Sequence, residues 1–223
     1  MSKSFFITGI DTDAGKTYCT AWLARLLAKK GKNVITQKFI QTGNTGHSED
    51  IDAHRALTGT GVLPEDRLGL TAPVIFSFPA SAQLAARIDN REIDLSVIDN
   101  ARHELEKRYD IVLVEGAGGM MVPITDEFFA IDYAASRELP VWLVTNSRLG
   151  SINHTILSLE ALKARKLRLE GILFNHHFDS DKFIAEDTCN FVKRYVARHF
   201  PHAHFLDVPS FGSETPANDE KIE

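Results

Sequence analysis

The sequence is poor in cysteine, has no long apolar run and carries no excess of positive charge. Its two cysteines, Cys19 and Cys189, stand far apart and form no Cys-x-x-Cys pair, which indicates reduced thiols. Because no run of about 18 apolar residues occurs, no transmembrane helix and no membrane partner are expected. The net charge of −5 disfavours a nucleic-acid surface. These absences predict a cytoplasmic protein whose partners are small molecules.

What the sequence has is an alternation of short apolar runs and longer amphipathic ones. This pattern predicts an α/β fold: one doubly wound, mostly parallel sheet flanked by helices, in a single domain over residues 1–223 with a polar tail from about 212. The Gly- and Pro-rich segment 59–80 is expected to be a long loop. The predicted strands cover 4–9, 33–39, 110–116, 141–146, 169–175 and 204–209. The predicted helices cover 16–31, 49–59, 81–88, 94–108, 130–139, 153–165 and 181–200.

Ligands of such sheets bind beyond the carboxyl ends of the strands, and the stretch GIDTDAGKT lies at such a place. It ends like a phosphate-binding loop, although Ile10 stands where the first glycine of G-x-x-x-x-G-K-[ST] belongs. Gly15 lets the backbone approach phosphate oxygens, Lys16 neutralises their charge and the Thr17 hydroxyl suits Mg²⁺. The alternative is a chance Gly-Lys-Thr in a strand–turn–helix, but the position after a strand favours phosphate binding.

The same loop carries polar side chains where small residues are usual, at Asp11, Thr12 and Asp13. They predict a second ligand beside the γ-phosphate. A further glycine-rich turn, VEGAGG, follows another predicted strand and places Glu115 at its end. A carboxylate there can hold Mg²⁺, and the turn at Gly116 and Gly118 can present N–H groups to an anion. The alternative is a solvated strand-end glutamate.

Lys38 ends the second predicted strand and Thr42 lies in the loop beyond it, at the same edge of the sheet. A strand-end lysine is usually just solvated, but this one is expected to face the phosphate loop. The following run offers Glu49, Asp50 and Asp52, of which only one need be a metal ligand. Acids at the start of a helix also suit its dipole, so the run alone does not require a metal.

Two later strand ends carry amides. In SRLGSINHT, Asn153 is the expected helix N-cap, and the backbone amides around it can take a carboxylate. Asn175 follows another strand, where an amide can read the edge of a base, although a turn-forming asparagine is equally good in isolation. Nine histidines are present, with 199, 202 and 204 clustered, but no acids or cysteines adjoin that cluster and no zinc site is predicted.

Taken together, these residues resemble one family. The segments GIDTDAGKT, QKFIQTG, VEGAGG, LGSINH and the strand-end Asn175 occur in the order and at the spacing of the dethiobiotin synthetases, and the resemblance runs from about residue 4 to 210. The family loop has the same early glycine. The resemblance implies a homodimer that closes a cyclic urea from 7,8-diaminopelargonate, CO₂ and MgATP, through a carbamate and its anhydride with phosphate.

The resemblance also implies roles for individual residues. The expected catalytic groups are Thr12, Lys16 and Lys38, and the expected magnesium ligands are Thr17, Asp52 and Glu115. The substrate is expected to contact Thr12, Asp13, Lys38, Thr42 and Gly118, and its carboxylate the turn of the partner subunit formed by Gly150, Ser151, Ile152 and Asn153. The expected ATP-binding residues are Asp13, Ala14, Gly15, Lys16, Thr17, Tyr18, Asp52, Glu115, Gly116, Gly118, Asn175, Pro209 and Ser210.

Departures from the family pattern remove no charged catalytic group. Ile10 replaces a common Thr, Phe39 a common Pro, and Ser81–Gln83 a common Ser-Pro-His. One rival is a partitioning or switch ATPase of the same superfamily branch, which carries a lysine where this loop has Asp11. A second rival, an amidoligase related to cobyrinate diamide synthase, brings a glutamine-hydrolysing domain for which 223 residues leave no room.

Overall fold

A computed structural model describes residues 3–211. The strands are β1 (Lys3–Gly9), β2 (Val34–Lys38), β3 (Gln41–Thr42), β4 (Ile75–Phe76), β5 (Ile111–Gly119), β6 (Val141–Asn146), β7 (Leu169–Asn175) and β8 (His204–Val208). Six of these strands form the main parallel sheet in the order β2-β5-β1-β6-β7-β8, and the short strands β3 and β4 pair in parallel to form a second sheet. The predicted α/β fold with a mostly parallel sheet is confirmed.

Helices connect the strands and cover both faces of the sheet. They are α1 (Lys16–Lys29), α2 (Glu49–Thr58), α3 (Pro64–Arg67), α4 (Ala82–Ile88), α5 (Leu95–Glu106), α6 (Ala130–Ser136), α7 (Ser151–Ala164) and α8 (Lys182–His199). A short 3-10 turn, His176–Phe178, follows β7. Within residues 3–211, no helix is both long and apolar enough to span a membrane.

The strand β1 shows how the sheet divides the core. Successive side chains of a strand point to opposite faces. Accordingly, Phe5 and Ile7 pack with α1 in one apolar cluster, while Phe6 packs with α5, α6, α7 and α8 in the other. From β1 the chain leads to β2 on one side of the sheet, whereas β6, β7 and β8 follow one another on the other side. The strand order thus reverses at β1, and a ligand crevice opens at the carboxyl end of a strand in that position.

The structure differs from the sequence prediction in three places near that crevice. β5 runs on to Gly119, so Glu115 lies within the strand, and Gly116 and Gly118 belong to the strand and not to a turn after it. Segment 59–80 is not one loop, since it contains α3 and β4, and β4 pairs with β3 through Gln41 and Thr42. Asn153 is not the N-cap of α7: Gly150 takes that position because it adopts a φ of 91°, which turns the chain into the helix earlier. The predicted polar tail from about 212 lies outside the described residues.

Candidate active site at the carboxyl edge of the sheet

The loop between β1 and α1 has the geometry of a phosphate cradle. Gly15 precedes α1 with a φ of 88°, and a Cβ there would lie 2.2 Å from Nδ2 of Asn175, so only glycine fits. The Lys16 ammonium folds back over the loop and donates to the backbone oxygens of Asp11, at 3.0 Å, and Thr12, at 2.8 Å. Burial lowers the pKa of Lys16 to about 8. An anion entering the loop therefore meets a poorly hydrated cation and free helix-start amides.

Two carboxylates converge on the hydroxyl at the start of α1. Oγ1 of Thr17 lies 3.0 Å from Oδ1 of Asp50 and 3.0 Å from Oε1 of Glu115. Glu115 is fully buried in β5, and Asp50 reaches it from the first turn of α2. Negative groups brought this close need a cation between or beside them. A hydroxyl and two carboxylates form an all-oxygen set that suits Mg²⁺, so these residues fit the metal that MgATP carries.

Lys38 supplies positive charge to the same carboxylates. Its Nζ lies 2.5 Å from Oδ2 of Asp50, 2.8 Å from Oε1 of Glu115 and 3.3 Å from the backbone oxygen of Gly116. Burial opposes the charge of Lys38, but Glu115 and Asp50 outweigh it and raise its pKa. Burial likewise opposes the charge of Glu115, but Lys38 and His54 lower its pKa well below the ordinary value. Both groups are therefore ionised.

The metal ligand expected from α2 is placed differently from the prediction. Asp52 does not reach the site: its side chain is 59% exposed and lies 3.9 Å from His47 at the surface. Asp50 occupies the position beside Thr17 instead. The reason is helical phase, because two residues correspond to about 200° of rotation and place Asp52 on the opposite face. The structure therefore places Asp50, and not Asp52, beside Thr17 in the cleft.

His54 is a site residue that the sequence analysis missed. Its Nε2 lies 2.7 Å from Oε2 of Glu115, and the ring is fully buried. A signal for it existed, since His54 follows Asp50 by one helical turn and therefore shares its face. From the sequence alone, however, a single histidine on a helix can equally be a surface residue or a buried partner of a carboxylate. Only the packing of α2 against the sheet shows which of the two it is.

One cleft of about 480 Å³ is lined by both lysines, the hydroxyl and the two carboxylates: Lys16, Lys38, Thr17, Asp50 and Glu115. Thr12, Asp13, Thr42 and Gly118, for which the sequence predicts substrate contacts, also line this cleft. A Cβ on Gly118 would lie 3.6 Å from Oγ1 of Thr12, so the glycine-rich end of β5 packs against the phosphate loop. The cleft lining also includes Arg148, His177 and Phe178, which the sequence analysis did not single out.

The residues expected to bind the base lie on the other side of the phosphate loop. Nδ2 of Asn175 donates to the backbone oxygen of Ala14 at 3.2 Å, and its Oδ1 accepts from the amide of His177 at 3.1 Å. An amide group has a second N–H and a second lone pair for a ligand. Ser210, which follows Pro209, donates from Oγ to the backbone oxygen of His176 at 3.0 Å. Asn175 and Ser210 thus adjoin the same turn after β7.

Tyr18 lies farther along α1, and its ring packs edge-on against Phe211 at a centroid distance of 5.8 Å. The turn Gly150–Asn153 is at the carboxyl end of β6 but does not line the cleft of its own chain, although Arg148 of the same connection does. Beside this turn Leu149 is 84% exposed and Leu157 is 62% exposed. Leu157 also lines a second cavity, of about 450 Å³, that reaches Thr12.

A parallel sheet with a glycine-lysine-threonine loop after its central strand, and a buried carboxylate within the neighbouring strand, defines a P-loop nucleoside triphosphatase. Its fold is shared with the MinC:MinD cell division protein complex of Aquifex aeolicus (TM-score 0.56, 20% identity, 94% of this chain and 82% of that chain). A ParA family ATPase from Chlorobium tepidum is also similar (TM-score 0.52, 16% identity, 93% and 85%). The family described as AAA domain matches residues 3–213.

Within this class the sequence comparison is more specific. The chain is 43% identical over 205 residues to the ATP-dependent dethiobiotin synthetase BioD 2 of Pasteurella multocida, covering 92% of this chain and 96% of that protein. It is 44% identical over 218 residues to the dethiobiotin synthetase BioD of Chlorobaculum tepidum, covering 97% and 91%. The chain belongs to the dethiobiotin synthetase family of ATP-dependent ligases.

Proposed function

We propose that the protein forms the ureido ring of dethiobiotin from 7,8-diaminopelargonate, CO₂ and MgATP, and releases ADP and phosphate. The observation that carries this proposal is the meeting of two lysine ammoniums with a hydroxyl and two carboxylates in one cleft. Family membership supports the substrate, and the net charge of −5 agrees with a small-molecule reaction. The enzyme is expected to act in the cytoplasm.

The reaction has three steps. One amine of the diamine adds to CO₂ and loses a proton, which gives a carbamate. A carbamate oxygen then attacks the γ-phosphorus of ATP, and ADP leaves. Finally the second amine attacks the carbamoyl carbon of this mixed anhydride, the phosphate leaves with the oxygen that joined it to carbon, and the attacking nitrogen loses a proton.

The second step brings two anions together, so its barrier depends on positive charge placed around both. Lys16 lies at the phosphate loop and neutralises the triphosphate. Lys38 ends β2, and its ammonium pairs with Glu115 of the adjacent β5 in the same cleft as the phosphate loop, where it can face both the carbamate and the γ-phosphate. Thr17, Asp50 and Glu115 would hold Mg²⁺, which would offset the negative charge of the phosphate oxygens.

The remaining residues orient the substrates. Thr12, Asp13, Thr42 and Gly118 line the cleft beside the lysines and contact the diamine or its carbamate. The substrate carboxylate is held by the backbone turn Gly150, Ser151, Ile152 and Asn153 of a second copy of the chain, which makes the active enzyme a homodimer. Two exposed leucines beside that turn, Leu149 and Leu157, supply apolar surface for the contact.

The base of ATP lies beside Asn175, whose amide can donate to and accept from the adenine edge. Pro209 and Ser210 adjoin the same turn and flank the base. The phosphates then run along Asp13, Ala14, Gly15 and Thr17, with Tyr18 in the next position of α1 and Gly116 facing them from β5. Because the Asn175 amide also donates a hydrogen bond to the backbone oxygen of Ala14, binding of the base affects the conformation of the phosphate loop.

The test is phosphate release from MgATP and bicarbonate, measured with and without the diamine, with the organic product identified by mass. We expect phosphate release that depends on the diamine and equals the amount of cyclic urea formed. Release that does not respond to the diamine would indicate a partitioning or switch ATPase instead. A variant with Lys16→Gln serves as the control for contaminating phosphatases, since it loses the phosphate-binding ammonium.

A further inference from the structure

His54 is the most completely enclosed ionisable side chain next to the candidate metal ligands. Its ring has no solvent exposure, and its Nε2 is 2.7 Å from Oε2 of Glu115. Oε1 of Glu115 pairs with the Lys38 ammonium at 2.8 Å, so the carboxylate accepts hydrogen bonds and Nε2 of His54 carries the hydrogen. The other carboxylate oxygen, Oε1, is the one that faces Thr17 and Lys38. The two oxygens of Glu115 therefore have different partners.

The other nitrogen of the ring shows that His54 is not there only to fill space. Nδ1 is buried and has no hydrogen-bond partner among residues 3–211. A buried polar atom without a partner destabilises a fold, and such atoms call for an explanation. A leucine would occupy a similar volume without this cost. What histidine supplies and leucine cannot is the N–H that points at Glu115.

The helix that carries His54 is anchored on both sides of it. At its start, the hydroxyl of Ser48 caps α2 by accepting from the amide of Ile51 at 3.2 Å. Directly after His54, the guanidinium of Arg55 forms an ion pair with Asp66 at 2.9 Å. The ring is thereby held at a fixed place relative to β5. A fixed donor can hold a carboxylate in one orientation, as outer-shell partners do for metal ligands.

We propose that His54 is a positioning residue: by holding Oε2 of Glu115, it keeps Oε1 turned toward Thr17 and Lys38, where a divalent cation is bound together with the nucleotide. This inference rests on the magnesium part of the proposed function. It assigns no contact between His54 and the substrate. Its consequence is that loss of the N–H weakens metal binding while leaving metal-free nucleotide binding unchanged.

The experiment measures Mn²⁺ binding to the full chain in the presence of ADP, by the electron paramagnetic resonance signal of free Mn²⁺. We compare the unchanged protein with His54→Leu, which removes the N–H, and His54→Gln, whose amide can place an N–H near the position of Nε2. A matched control, His202→Leu, removes an exposed histidine far from the site in sequence. ADP binding in EDTA and thermal unfolding are measured for every variant.

We expect His54→Leu to weaken Mn²⁺ binding about 10- to 100-fold, as loss of an outer-shell partner does, and His54→Gln to restore most of it. ADP binding in EDTA should stay within about twofold of the unchanged protein, as should every property of His202→Leu. Mn²⁺ affinity within about twofold in His54→Leu would overturn the proposal. So would equal weakening of ADP binding with and without metal.

If the His54→Leu variant does not fold, His54→Asn replaces it, because the shorter asparagine side chain cannot reach Glu115. Equal Mn²⁺ affinity of the His54→Asn and His54→Gln variants would then overturn the proposal. The test is separable from the proposed function. A protein that binds Mn²⁺ with ADP but closes no ring would refute the proposed reaction and leave this inference standing. One that binds no Mn²⁺ with ADP would refute the inference.

Discussion

Replacing Lys38 by glutamine should nearly abolish ring closure while leaving ATP binding almost intact. Lys38 is 5% exposed and its ammonium lies within 2.8 Å of both Asp50 and Glu115, so no water or neighbouring lysine can take its place easily. Cations that stabilise a phosphoryl-transfer transition state contribute about 10³- to 10⁵-fold in rate. We therefore expect turnover to fall at least about 10³-fold, which corresponds to roughly 4 kcal/mol in the barrier.

The same change also removes the partner of the buried Glu115 and of the partly exposed Asp50. Breaking a buried ion pair by removing one member destabilises a fold by about 3–5 kcal/mol. Bound Mg²⁺ should offset part of this loss because it neutralises Asp50 and Glu115. Thermal unfolding with and without MgADP separates this effect from the catalytic one: the Lys38→Gln variant should gain more stability from MgADP than the unchanged protein does.

The assay is diamine-dependent phosphate release under saturating MgATP, with ATP binding measured separately by titration calorimetry. The control is Lys182→Gln, which removes an exposed lysine whose contact with Glu186 is 3.7 Å long. It should keep full turnover, since surface pairs contribute little. A folded Lys38→Gln variant that turns over within about tenfold of the unchanged enzyme would exclude Lys38 from the phosphoryl-transfer step, and the reasoning from charge would fail.

Three further predictions concern the same cleft. Asp50→Asn should weaken Mg²⁺ binding in the presence of ADP by more than about tenfold, whereas Asp52→Asn should leave it unchanged; equal effects in calorimetry would contradict the helical phase. Burial lowers the pKa of Lys16 to about 8, so the free enzyme loses this positive charge as the pH rises through about 8. The value of kcat/KM for ATP should therefore fall in this pH range, and kcat at saturating ATP should fall less. A kcat/KM that stays constant up to about pH 9.5 would contradict this prediction. Gly15→Ala should abolish ATP binding, because its Cβ would lie 2.2 Å from Nδ2 of Asn175; calorimetry showing unchanged affinity would refute the cradle geometry.

The sequence predicted the sheet and the cluster of groups at its edge because both depend on local pattern. Continuous apolar runs specify buried parallel strands, and residues that follow them meet at one edge. Lys16, Thr17, Lys38 and Glu115 were all placed in this way, and the structure brings them together. The strands β3 and β4 are only two residues long, too short for any periodicity to show.

What the sequence could not give was the rotation of α2. Three acids within four positions all fit a metal site by composition, and only the burial of Ile51 and His54 decides which one faces Glu115. His54 was missed for the same reason. The predicted start of α7 was wrong because asparagine is a common N-cap residue, which favoured Asn153. The actual N-cap is Gly150, whose left-handed backbone conformation cannot be read from side-chain preferences.

The central claim is that a carbamate oxygen attacks the γ-phosphorus of ATP in this cleft. It is tested most directly by running the reaction with C¹⁸O₂ for times shorter than the exchange of label with water, and measuring ¹⁸O in the released phosphate by mass spectrometry. The account predicts one ¹⁸O per phosphate, because the anhydride oxygen leaves with phosphorus when the ring closes. Phosphate that takes its new oxygen from water alone, while the diamine is consumed, would contradict it.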